Sequence, residues 1–181
     1  MGVRMLFTSD SLWTMLHGIV VGGAAMLGLA AALFWLYATR QSANVPAGAP
    51  RADRAFGALT VFIAVMLWLT VIVGTYVIFP PYRATPPGGT TDLSQYPRAL
   101  ILAGADTAWL HTFAMEIKEH MPWIASMLAT AVAFVSTRYA SMLSVDASLR
   151  KTIAVLLTVC FALVSFVSLL GVFINKVAPL D

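Results

Sequence analysis

Charged side chains are scarce in this sequence: Asp, Glu, Lys and Arg make up 10% of its 181 residues, against 60% hydrophobic residues. With a mean hydropathy of +0.84, the chain lacks the polar surface that a soluble domain of this size needs, which excludes the water-soluble globular classes. Cysteine is almost absent. Cys160 stands alone, so disulfides within the chain and covalent CxxCH haem attachment are excluded. Set among Val159, Phe161 and Leu163, it reads as a small buried hydrophobe. No basic patch interleaved with aromatics is present, which excludes nucleic acid as a partner, and the net charge of +3 is accounted for by loop cations. There is no nucleotide-binding loop, no Ser/His/Asp arrangement and no HExxH. No segment carries ionisable residues through a bilayer, which argues against a channel.

What remains is an all-α integral membrane protein. Four apolar segments are long enough to cross ~30 Å of hydrocarbon at ~1.5 Å per residue: about 12–37, 55–79, 121–139 and 152–174. They predict one four-helix transmembrane domain over 1–181. The first segment is too long for a signal peptide and is read as a retained helix. The short loops carry the cations: Arg40, Arg51 and Arg54 in one, Arg138, Arg150 and Lys151 in the other. The positive-inside rule places both loops in the cytoplasm and both termini outward, as in a bacterial inner membrane. Between the second and third segments, residues of about 80–120 form an outward-facing cap. FPPYRATPPGGTTDLSQYP is too rich in Pro and Gly for a helix. Arg98 to Lys118 regains helical character, with Asp106 able to cap its start, and predicts a short interfacial helix leading into the third segment. Pro122 predicts a kink beside His120.

Ionisable groups at a membrane edge are costly and point to function. Counting outward from the segment centres places His17 at ~12 Å and His120 at ~15 Å, one shared level. Tyr76 approaches that level on the second segment, with Arg83 above it. At ~100° per residue, Glu116, Phe113, Trp123 and Met127 share the face of His120, whereas His111, Met115 and Lys118 point elsewhere. Gly18, Gly22 and Gly23 keep the surface beside His17 low. They suit either close helix packing or the admission of a flat macrocycle.

Two imidazoles on diagonal helices of a bundle suit bis-histidine ligation of haem b, with His17 and His120 on the iron and His111 as the alternative to His120. Arg83, with Lys118 in reserve, would meet propionates. Tyr76 would bond a propionate or a quinone, and Glu116 could accept protons. Glu116, His120 and His17 also make a possible Zn or Fe site, and His111 with Met115 a possible copper site.

The segments TMLHGIVVGG, GTYVIFPPYR and AMEIKEHMPW, in a four-helix layout covering most of the chain, resemble the small b-type cytochrome and membrane-anchor subunits of bacterial respiratory complexes. That resemblance implies a single-haem subunit relaying electrons between an outward-facing redox partner and the quinone pool, working with other subunits in the bilayer rather than as an independent enzyme. Two other readings stay open. One is a non-catalytic scaffold or assembly subunit of a larger complex; the other is a quinone or small-metal site without haem.

Overall fold

A computed structural model describes residues 8–41, 50–143 and 145–180, with side chains described over 8–38, 53–143 and 145–180. Arg4, most of the first short loop and the side chains of Arg40 and Arg51 lie outside the described residues. Four helices are long and apolar enough to cross a membrane: α1 (Ser9–Ala38), α2 (Asp53–Tyr82), α3 (Leu110–Arg138) and α4 (Ala147–Val177). They form the expected all-α bundle, in which α1 and α3 each pack against α2 and α4 and stand diagonally across from one another.

Each helix has 29 to 31 residues, or ~45 Å at ~1.5 Å per residue, against ~30 Å of hydrocarbon. The surplus turns rise above the apolar layer, where charge is tolerated. This explains the main departure from expectation: α3 starts at Leu110 rather than near Met121. The charged run Glu116 to His120 belongs to an outer extension of the spanning helix, and the interfacial helix shrinks to Pro97–Ala103. Pro122 lies inside α3 without ending it.

The cap joins α2 to α3 at the end shared by Ser9, Tyr82, Leu110 and Val177. Thr90 N–H donates to the Pro87 carbonyl at 3.1 Å, and Gly89 turns the chain at φ +84°, a conformation that suits glycine. The exposed Asp92 carboxylate accepts the Ser94 N–H at 3.0 Å, which holds its pKa below the usual range. Thr107, rather than Asp106, organises the entry to α3: its hydroxyl donates to the Ile101 carbonyl at 2.8 Å.

Two apolar cores result. The larger lies at mid-bundle and includes Leu29, Ile63, Leu67, Val132, Leu157 and Cys160. Small residues let its helices approach: Ala25, Ala32, Ala125, Ala129 and Ala133 are all buried. The smaller core pins the cap, bringing Tyr82 and Ile101 against Leu110, Met115, Leu170 and Ile174. Cys160 is fully buried and its thiol donates to the Ala125 carbonyl at 3.6 Å. Gly28 marks a close α1–α2 approach, since a methyl group there would lie 2.8 Å from Ile63 Cγ1.

A Gly28→Val substitution is expected to overpack this crossing and lower stability by about 1–3 kcal/mol. Detergent-denaturation titration of the purified chain checks this, and an unchanged midpoint would contradict the packing.

Candidate functional site

Between the two cores, at the capped end, the helices enclose a cavity of about 830 Å³, within the size range of cofactor sites. Its origin is a splay between α1 and α4. From Gly23 onward α1 packs on both α2 and α4, whereas the outer turns of α1 pack mainly on α2. Gly18 and Ile19 on α1, and Ser168, Val172 and Asn175 on α4, line the cavity and are also exposed. Ile19 is 69% and Val172 61% exposed. The cavity therefore opens sideways, between two apolar helix edges.

The capped end is also where the helices depart from regular winding. Leu16–Gly22, Gly74–Ile78 and Leu110–Met115 are wound as π-helix. Such turns are rare, and they are frequent at functional sites because they re-aim side chains. The first holds His17, the second the glycine that faces it, and the third His111.

His17 lines the cavity, and its ring lies by the backbone of Thr70 and against Gly74. A methyl group at Gly74 would sit 2.9 Å from His17 Cε1, so the absent side chain makes room for the imidazole. Its Nδ1 is buried and has no hydrogen-bond partner. Lys118, which interacts electrostatically with His17, enters from α3 and reaches across to α4. There its Nζ lies 2.8 Å from where a methyl group on Gly171 would be. Lys118 makes no hydrogen bond or ion pair among the described residues. Thr14, Thr70, Thr75, Tyr82, Glu119, Ser168, Asn175 and Lys176 supply the other polar lining. Most of the remaining wall is apolar, including Leu67, Val71, Ile78, Ala125, Leu163 and Val167.

Of the residues the sequence offered to a haem, its propionates or a quinone, His17 and the reserve Lys118 line this cavity. His120 is exposed, does not line it, and bonds through Nδ1 to its own Glu116 carbonyl at 2.8 Å. Glu116 and Phe113 share its face, as the helical wheel requires, but that face turns outward. Tyr76 is 69% exposed on the outside of α2. Arg83 is exposed and stacks over Phe79 with its guanidinium 5.3 Å from the ring centre. His111 is engaged at both nitrogens: Arg98 Nε–H donates to Nε2 at 3.2 Å, and Nδ1 is hydrogen-bonded with the Tyr82 hydroxyl at 2.9 Å. Among the described residues, no three His, Cys, Asp or Glu side chains converge as a metal-ligand set.

These placements test the fit of a haem. His17 brings one uncommitted nitrogen to a cavity of suitable size, and Lys118 could meet a propionate. The second imidazole of a bis-histidine pair is not brought to the cavity by this arrangement. A methyl group placed on Gly18 or Gly23 would meet no neighbouring atom within 4 Å, so these two glycines serve no close packing, while Gly18 and Gly22 line the cavity.

Tyr82, Lys118 and Glu119 carry more of the site than the sequence pattern indicates. One signal for Lys118 is present. The small residues Ala125, Ala129 and Ala133 mark the buried face of α3, and moving towards the N-terminus by helical turns leads through Pro122 to Lys118 and Ala114. Comparison with known protein families, curated proteins and solved structures finds no match for this chain.

Gly74→Ala is expected to displace the His17 ring. With only three histidines in the chain, ring NMR resonances of the full-length protein check this. His17 should shift while His111 and His120 stay in place; an unmoved His17 would contradict the Gly74 contact.

Proposed function

We propose that this chain is a membrane subunit that binds a quinone head group in the cavity between its four helices, linking the quinone pool to an outward-facing redox partner in another subunit. The observation that carries the reading is the Lys118 ammonium, without an acceptor among the described residues, beside a buried His17 Nδ1 that has no hydrogen-bond partner, at a mostly apolar cavity that opens sideways. Unpaired polar groups in apolar surroundings are costly, so a site that keeps them is complementary to a ligand that satisfies them. A quinone fits on three counts. Its carbonyl oxygens accept from an ammonium, and from the His17 ring in the tautomer that carries its hydrogen on Nδ1; its ring suits an apolar slot, and its tail can leave between α1 and α4 into lipid.

The resemblance to small respiratory subunits supports the same setting, and the cation bias of the short loops supports an outward capped end in a bacterial inner membrane. The electrons for quinone reduction would come from a one-electron donor on the partner. Lys118 and His17 bind and orient the head group, and the apolar walls keep water from it.

A second reading is favoured by the uncommitted His17 nitrogen: haem b held through His17 alone, with Lys118 against a propionate. Bound haem would supply one-electron transfer. Glu116, His120, Tyr76 and Arg83 have no part in either reading as the side chains stand.

Full-length protein in lipid nanodiscs is expected to bind a short-tailed 1,4-benzoquinone, read as quenching of the cavity residue Trp123. Lys118→Met should weaken binding about ten- to a hundredfold, the loss of a hydrogen bond from a charged donor worth ~1.5–3 kcal/mol. Unchanged affinity would sink the quinone reading. A visible spectrum of cofactor-replete protein decides the haem reading: a b-type α band that His17→Leu abolishes supports it, and no band contradicts it.

A further inference from the structure

Tyr82, His111 and Arg98 form a chain of hydrogen bonds whose direction the donor chemistry fixes. Arg98 Nε carries a hydrogen and no available lone pair, so at 3.2 Å from His111 Nε2 it can only donate. Nε2 is then the bare nitrogen of a neutral imidazole, since a cationic ring would set two N–H groups against each other. The ring hydrogen must sit on Nδ1, which faces the Tyr82 oxygen at 2.9 Å. His111 therefore donates and Tyr82 accepts.

The consequence falls on Tyr82. Its oxygen already receives a hydrogen bond, and its own proton has no acceptor among the described residues. Tyr82 is buried, stacks with Phe79 at 6.1 Å between ring centres, and lines the cavity. Three elements hold it in place: the end of α2, the first turn of α3 through His111, and the cap helix through Arg98. A hydroxyl polarised by an incoming donor is itself a stronger donor.

We infer that Tyr82 is a ligand-binding residue, its hydroxyl oriented by a His111 tautomer that Arg98 sets, and that it donates a hydrogen bond to a carbonyl oxygen of the quinone head group. The inference rests on the quinone reading above and deepens it. With Lys118 on α3, which can only donate, and His17 on α1, the cavity then presents polar groups from three helices to a head group whose two carbonyl oxygens can each accept more than one hydrogen bond. His111 and Arg98 are positioning residues: they hold the hydroxyl without reaching the ligand.

Two measurements on the full chain in nanodiscs test this. The first is ¹⁵N NMR of histidine-labelled protein, with His111 assigned through His111→Gln. The expected pattern is a bare Nε2 and a protonated Nδ1 in the wild type, with Arg98→Gln shifting it towards a tautomer mixture. A hydrogen on Nε2 in the wild type overturns the inference. The second is affinity for the same short-tailed 1,4-benzoquinone. Tyr82→Phe keeps the packed ring, so folding is retained, and it should weaken binding about five- to tenfold. Tyr76→Phe, on the outside of α2, should leave binding unchanged. If the wild type binds and Tyr82→Phe binds equally well, this inference fails while the quinone reading stands. If the wild type binds no quinone, the quinone reading fails and the assignment of Tyr82 falls with it.

Discussion

The Lys118 ammonium reaches the backbone of α4 in a mostly apolar cavity, with no carboxylate paired to it among the described residues, and the glycines around the cavity fit that arrangement. Gly171 has no side chain where Nζ arrives, and Gly74 has none where the His17 ring arrives. Any larger residue at either position would push a polar group out of its place. Leaving such groups without acceptors costs stability wherever water is scarce. A bundle optimised only for packing would have filled the space with leucine, as this one does at mid-depth.

The space itself follows from helix length and winding. Four helices of ~45 Å cannot be covered by ~30 Å of hydrocarbon, so their outer turns form a wall that stands clear of the packed core below. Gly28 locks α1 to α2 at mid-depth, the outer part of α1 stays with α2, and α4 parts from it. Three π-helical stretches lie in this outer layer. Each shifts the phase of the side chains beyond it, and His17, Gly74 and Tyr82 line one opening, with His111 behind Tyr82. The cap, pinned by Ile101 and Leu110, closes the end and leaves the side open. A ligand that partitions into lipid suits that geometry better than one that arrives from water.

The number of helices and their order were legible from hydropathy and from helix length. The face of α3 was not. A helical wheel gives relative positions, and choosing His120 as the inward residue turns Lys118 outward, because residues two apart lie on nearly opposite sides. The buried alanines at 125, 129 and 133 hold the absolute phase, and packing them inward selects Lys118. The start of α3 was hidden for a different reason: Glu116, Lys118, Glu119 and His120 look like the end of a membrane span when a helix is assumed to stop at the hydrocarbon boundary. Tyr76 and Tyr82 are six residues apart, and the intervening π-helical stretch, which no periodicity in the sequence signals, adds to the phase that separates the exposed one from the buried one.

Quinone binding as proposed lies between α1 and α4, not at the rim of His120 and Glu116. The most direct measurement is photoaffinity labelling of the full chain in nanodiscs with an azido-benzoquinone, followed by peptide mapping. The account predicts attachment within residues 14–22 of α1 and 163–175 of α4, competed by excess unmodified quinone. Attachment confined to the exposed faces carrying Tyr76, His120 or Phe134, or labelling that excess quinone does not displace, would contradict it.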